Sequence, residues 1–407
     1  MIASKSDHSE AANPFRPGMG LDPPYLADRA AQLERFTRYL AAFPAFPRNV
    51  RLTGLRGVGK TVLLQHYAAA AEERGWVVVR RECSEHLRSE STFALALVAD
   101  CRTAVEHSSR ALALRQRSTM AARRALDLLG GLTVTLEGVT LAIKPPASAA
   151  HQPEVLEDRM FQAVELACEA AEAAHRPGVL FCYDEAHVLA DTPRSRQFPL
   201  GIFLASLARA QRSGLAVMLV VSGLPTLTDN LARAKSYSER MFQAELLDAL
   251  RPPEDALAFV RPFESSDRGV DPEVVESVRH DTGGYPFHIQ FFGASLWEAC
   301  MPSPRITNSD FVQHRPAILR ALDGAFFDAR LARTSGLERR VLRAVAASGE
   351  NAALHVVRAS LNLPNHRIQP VIADLEAKGL LYRPERGRLA FTVPLFGDYL
   401  RRRRAAA

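Results

Sequence analysis

Gly54, four further residues, then Gly59, Lys60 and Thr61 make the string GLRGVGKT. These residue types suit one kind of chemistry. Glycines at 54, 57 and 59 let a backbone turn tightly and bring its N–H groups against oxyanions. A helix opening at Lys60 aims its positive dipole end at the same point. The Lys60 ammonium can reach the outer phosphates of a nucleotide, and the Thr61 hydroxyl can bind Mg²⁺. Gly54, Leu55, Arg56, Gly57, Val58, Gly59, Lys60, Thr61 and Val62 are the expected nucleotide-binding residues. The alternative is an ordinary glycine turn. The flanks argue against it: NVRLT at 49–53 reads as a strand, and the residues from Lys60 to about Arg74 read as a helix.

The second chemical string is VLFCYDE at 179–185. Five apolar residues run into two acids, as at the carboxyl end of a parallel strand, where α/β sheets bind ligands. Asp184 is expected to hold the magnesium, and Glu185 to polarise an attacking water as general base. Asp184-Glu185-Ala186-His187 also spells a helicase box. No second helicase-like sheet is evident in the rest of the chain, and His187 reads either as structural or as a sensor of the terminal phosphate. A third apolar run, LAVMLVV at 215–221, ends in Ser222. Its hydroxyl either contacts the terminal phosphate or its water, or belongs to a plain Ser-Gly-Leu-Pro turn.

The elements that must position these groups alternate strand and helix, which predicts an α/β fold with a parallel sheet. A helix is expected from Asp28 to Leu40, and another strand over Trp76–Arg80. Helix follows over 91–129, a β-hairpin over 132–143 around Glu137-Gly138, a loop over 144–153, and helix over 154–175. From Asp255 to about Phe311 the pattern is helical throughout, broken at Gly283-Gly284-Tyr285-Pro286. The end of the chain reads helix, helix, turn, helix, strand, wing, strand, which is winged helix-turn-helix order. The expected domains are a lead at 1–27, a nucleotide-binding core at 28–250 with a hairpin insertion at 130–150, a helical lid at 251–332 and a winged helix at 333–407.

At 407 residues, with 47% hydrophobic and 24% charged side chains, the chain is of globular type and long enough for two or three domains. No apolar run is long enough for a transmembrane helix and no secretory signal is evident, so a cytoplasmic protein is expected. Five cysteines without CxxC spacing point to buried thiols rather than a disulfide framework or zinc site. The positive excess is concentrated at the end. Residues 337–407 hold 13 Lys plus Arg against 6 Asp plus Glu, while the remainder is close to neutral. A basic winged helix fits double-stranded DNA over 337–404, with Arg367, Arg383, Arg386 and Arg388 able to reach phosphates. Asp374 and Glu376 on the third helix oppose that role, and Arg401–Arg404 reads equally as a solubilising tail.

The order of phosphate loop, Asp184-Glu185 strand and Ser222 strand end resembles the AAA+ and STAND-type P-loop ATPases. The nearest likeness is to the origin-recognition and replication-initiator branch and to archaeal-type STAND ATPases. PPYLADR at 23–29 is similar to the segment that packs on adenine there, which implies that role for Tyr25, although the family usually has glycine where Asp28 stands. Gly284-Tyr285-Pro286 resembles the GxP motif, whose proline lies near adenine, and this implies Pro286 as a further contact. The resemblance implies an ATPase using ATP and Mg²⁺, possible homo-oligomers and an arginine finger reaching a neighbouring subunit. Arg240 in SYSERMF is the candidate finger, with Arg233 behind it. GGYPFHIQ offers His288 where initiators carry a sensor arginine, which favours the STAND branch. Three functions follow as expectations: an ATP switch coupled to DNA binding, a signalling scaffold whose winged helix contacts protein, or an ATP-binding protein with little turnover.

Overall fold

A computed structural model describes residues 12–43, 47–113, 135–136, 139–140, 153–349, 351–393 and 395–405. These fall into two compact units, each described by itself. The sheet unit comprises Arg29–Gly54 and Lys60–Leu247; the lid unit comprises Met1–Asp28, Leu55–Gly59 and Asp248–Ala407.

In the sheet unit, α1 (Ala30–Ala42) leads into β1 (Asn49–Gly54), α2 (Lys60–Glu73), β2 (Val77–Glu82) and α3 (Glu90–Ala113). The two-residue strands β3 (Thr135–Leu136) and β4 (Val139–Thr140) pair antiparallel, as the hairpin pattern predicts. The remaining expectations for 114–134, Glu137, Gly138 and 141–152 lie outside the described residues. Then come α4 (Pro153–Ala173), β5 (Val179–Asp184), α5 (Pro199–Arg212), β6 (Val217–Gly223), α6 (Thr226–Ala234), α7 (Ser238–Met241) and β7 (Phe242–Leu247).

The five long strands form one parallel sheet in the order β2-β5-β6-β1-β7. Every residue of β5 and β6 is buried, which is why both read as near-continuous apolar runs. Because the strands are parallel, Gly54, Asp184 and Gly223 all end at one edge. Strand β7 was not anticipated. It is an edge strand in which Glu245 is buried and Leu246 is 71% exposed, the reverse of a hydrophobic pattern. Glu245 tolerates burial because Arg35 donates to both of its oxygens, at 2.7 and 2.9 Å.

A buried polar network ties the end of β5 to α3. Arg81 donates to both Asp100 oxygens at 2.7 and 2.6 Å, and the Tyr183 hydroxyl donates to Asp100 Oδ2 at 2.6 Å. Each group has a charged or hydrogen-bonding partner, which is what makes burial affordable beside Phe93 and Phe203.

The lid unit contains α8 (Glu254–Glu264), β8 (Gly269–Val270), α9 (Pro272–Thr282), α10 (Pro286–Ala299), β9 (Arg305–Ile306) and α11 (Asn308–Leu322). The parallel β8–β9 bridge corrects the expectation of continuous helix. Its cause is Arg268, 7% exposed, which donates to the carbonyls of Trp297, Cys300 and Ser303 and lies 4.5 Å over the Trp297 ring. Phe15 anchors the N-terminal segment to α10 so closely that a Cβ on Gly293 would stand 2.2 Å from its ring.

A π-helical turn (Asp323–Asp328) and α12 (Ala329–Ala332) lead to the winged helix: α13 (Gly336–Ser348), β10 (Ala352–Ala353), α14 (Leu354–Leu361), α15 (Asn365–Ala377), β11 (Leu381–Tyr382) and β12 (Arg388–Phe391). Its small antiparallel sheet runs β10-β12-β11. A last helix, α16 (Phe396–Ala405), corrects the reading of the terminal arginines as a tail. Arg401 donates to the Ala346 carbonyl and to Asp398, Arg402 pairs with Asp323, and Arg403 pairs with Asp328. The architecture is an α/β P-loop sheet with a helical lid and a C-terminal winged helix. All five cysteines are buried and free.

Candidate nucleotide-binding site

Lys60 opens α2 and is 5% exposed, and Val62 is buried two residues on. Thr61 Oγ1 donates to Asp184 Oδ2 at 2.6 Å, and the Glu185 amide donates to Asp184 Oδ1 at 2.8 Å. Asp184 is thus held at both oxygens. A hydroxyl and a carboxylate in contact form a hard-oxygen pair of the type that binds magnesium with phosphate oxygens and water completing the shell. These two residues fit Mg²⁺.

Glu185 stands in the left-handed region at φ 50, ψ 27, a sparsely populated conformation for glutamate. Its side chain is part exposed, with Oε2 3.4 Å from His187 Nδ1. Ser222 lies on β6 one step beyond the Tyr183–Val221 pair, and so beside Asp184. It is fully buried, and its Oγ has no partner among the described residues. A turn-forming serine spends its hydroxyl on nearby backbone, and this one does not. Gly223 follows because a Cβ there would stand 3.0 Å from the His187 amide nitrogen. The Cys83 amide donates to the Asp184 carbonyl at 2.9 Å, and burial pushes the Cys83 thiol up to about 12, leaving it protonated.

Arg240 is the last residue but one of α7, just before β7. Phe242 pairs with Asn49 and Leu247 pairs with Gly54. Arg240 therefore sits at the far end of β1 from Gly54, about 17 Å away at the usual rise per residue.

In the lid unit, Gly57 and Gly59 have φ of 83 and 90, which glycine adopts without cost. The Gly57 carbonyl accepts from the Phe287 amide at 3.3 Å, and a Cβ on Gly57 would meet Phe287 and Tyr285 at 3.2 and 3.3 Å. Pro286, first residue of α10, lies between those two contacts. The Arg56 amide donates to the Thr392 carbonyl at 3.3 Å. Tyr25 donates to Glu254 Oε2 at 3.0 Å, and the same oxygen accepts from the Asp28 amide at 3.0 Å. Asp28 has φ 53, so aspartate here adopts the conformation that glycine would supply.

His288 and Tyr285, at the start of α10, are both buried. His288 is wholly buried among Tyr285, Phe287, Phe326 and Phe327, and neither ring nitrogen has a partner among the described residues. Burial lowers its pKa to about 4, so it is neutral. The Tyr285 hydroxyl is likewise unpartnered, and burial raises its pKa above the ordinary tyrosine value. Isolated aromatic letters cannot reveal such a cage, because it forms from residues nearly forty positions apart.

Residues 324–400 match a domain of unknown function, DUF8462. No curated protein matches the chain in sequence. Among solved structures, the Walker-type ATPase PABY2304 of Pyrococcus abyssi is 16% identical, with 92% of this chain and 96% of that chain covered and a TM-score of 0.58. The Aeropyrum pernix Orc1 protein, solved in complex with DNA, gives 16% identity, 93% and 94% coverage and a TM-score of 0.46. The Thermotoga maritima RuvB branch migration motor gives 14%, 91% and 94%, and 0.42. The first of these shares the fold. Residues 25–221 match the AAA ATPase domain family.

Proposed function

We propose that the chain binds ATP with Mg²⁺ and hydrolyses it, and that the bound nucleotide governs a C-terminal winged helix that contacts double-stranded DNA. Lys60 neutralises the outer phosphates, Thr61 and Asp184 hold the metal, Glu185 activates water and Ser222 orients it or contacts the terminal phosphate. Tyr25 and Pro286 line the adenine. Arg240 serves a neighbouring copy of the chain, because it stands a strand's length from its own loop.

One observation carries the coupling. The amide of Arg56, inside the phosphate loop, is bonded to Thr392, just past β12 of the winged helix. A loop that rearranges around phosphate acts on that bond directly. The test is fluorescence anisotropy with duplex DNA in the presence of ATP, ADP or no nucleotide, over a salt series. Expected is a nucleotide-dependent affinity that falls with salt as phosphate contacts require. Affinity indifferent to nucleotide rejects the coupling.

A second reading, a switch whose winged helix meets a protein, draws on a different observation. Several basic side chains of the module are engaged internally. Arg383 bonds Glu376 and Gln369, Arg388 bonds the Asn351 carbonyl, and Arg401–Arg403 are paired as described above. Duplex binding absent at every nucleotide state favours this reading.

A further inference from the structure

Glu185 and His187 stand two residues apart and meet, with Glu185 Oε2 3.4 Å from His187 Nδ1. In a continuous helix, residues two apart do not face each other. Here the left-handed backbone of Glu185, φ 50, is followed by the tight turn Ala186–Val188, and together they fold the glutamate back onto the imidazole. The unusual backbone thus has a local product, a carboxylate set against a ring nitrogen.

The two partners are not equally fixed. The His187 and Leu189 carbonyls both accept from Asn230 Nδ2, at 2.9 and 3.3 Å. The Val188 carbonyl between them accepts from Arg88 Nε at 3.2 Å. Gly223, at the end of β6, is so close that a Cβ there would stand 3.0 Å from the His187 amide nitrogen and 3.1 Å from the His187 Cβ. The His187 side chain is 12% exposed, against 27% for Glu185. The histidine is the fixed member of the pair and the glutamate the movable one.

His187 Nδ1 is shielded from solvent. A shielded ring nitrogen needs a partner, and the atom facing it is a carboxylate oxygen. A neutral imidazole carries one proton, and the partner decides which nitrogen holds it. With the proton on Nδ1, the ring donates to Oε2, and Oε1 is left to accept a proton from water. A contact of 3.4 Å is long for such a bond, and catalytic contacts of this kind shorten once substrate is in place.

We propose that His187 is a positioning residue for Glu185, holding Oε2 so that Oε1 is presented to the attacking water. This role rests on Glu185 serving as the general base. It also links the base to β6, because the Gly223 backbone sets where His187 stands. The imidazole acts through Glu185 and not on the terminal phosphate.

The test compares ATP turnover among variants of the full chain, with melting temperature measured alongside. His187→Asn places an amide N–H where Nδ1 stands, whereas His187→Gln carries it out to the place of Nε2. His187→Ala and His187→Gln are expected to lower kcat by about tenfold or more, with KM within about twofold, since displacing a catalytic group by about 1 Å costs up to about 10²-fold. His187→Asn should recover most of that loss. In a Glu185→Gln background, His187→Ala should lower the residual rate little further, because the pair acts as a unit. Equal losses in His187→Asn and His187→Gln, unchanged kcat in His187→Ala, or losses that multiply in full with Glu185→Gln overturn the positioning role and leave the base in place. Full turnover in Glu185→Gln overturns the base and the positioning role together.

Side-chain nitrogen NMR of protein with isotope-labelled histidine gives a readout independent of turnover, and it decides the matter if His187→Ala fails to fold. At mildly alkaline pH, with His187 assigned by its loss in His187→Asn, the Nδ1–H tautomer is expected in the unaltered chain and the Nε2–H tautomer in Glu185→Ala. The Nε2–H tautomer in both overturns the proposal.

Discussion

Thr61 Oγ1 and Asp184 Oδ2 are 2.6 Å apart across 123 residues of chain. The contact joins the first turn of α2 to the end of β5 and sets two oxygen ligands side by side. Loss of either should therefore weaken the metal rather than the fold. Asp184→Asn is expected to leave the melting temperature within a few degrees and to abolish the Mg²⁺ dependence of nucleotide affinity. A variant that still responds to Mg²⁺ would remove Asp184 from the metal site.

Lys60→Ala and Glu185→Gln separate binding from chemistry. The first should abolish detectable ATP binding. The second should retain binding and lower turnover by on the order of 10²–10⁴-fold, the usual scale of a lost general base. Turnover surviving in Glu185→Gln would reassign the base.

Ser222→Ala discriminates a working hydroxyl from an incidental one. Its Oγ is buried without a partner among the described residues, so its removal should leave stability unchanged or slightly raised. Turnover should nevertheless fall by about tenfold or more, with KM little altered. Unchanged turnover would return Ser222 to the turn.

His288 makes the lid acid-sensitive. Its folded pKa, about 4, lies below the ordinary 6.5, so the unfolded chain binds a proton that the folded chain refuses. Stability is complete above pH 6.5 and declines as pH falls from 6.5 towards 4, by about 3 kcal/mol at most at roughly 1.4 kcal/mol per unit. Denaturant titrations at pH 7.5 and pH 5 should show the loss, and His288→Phe should abolish it. The same slope in the variant would place the sensitivity elsewhere.

Arg240→Ala addresses assembly. Turnover should fall by about 10³-fold, the lower end of arginine-finger effects, while ATP affinity holds. Mixing it with Lys60→Ala protein should restore part of the activity, because the Lys60→Ala subunit supplies Arg240 to the intact nucleotide site of the Arg240→Ala subunit. No recovery on mixing would argue against action between copies.

The chemistry-bearing strings were legible because they are local. The loop needs glycines at fixed spacing, and the acids need an apolar run before them; backbone geometry and strand periodicity translate directly into letters. The same holds for the parallel sheet and for the winged-helix order. The tertiary structure decided what depends on partners distant in the chain. Strand β7 hides a glutamate and exposes a leucine, since Arg35 pairs with Glu245. The β8–β9 bridge exists because Arg268 needs three carbonyls. The terminal arginines form a helix tied to Asp323 and Asp328, where composition alone suggested a free basic run. Whether a charge is spent inside the chain or left for a ligand is set by which acids the fold brings within a few ångströms. Local spacing does not encode that distance.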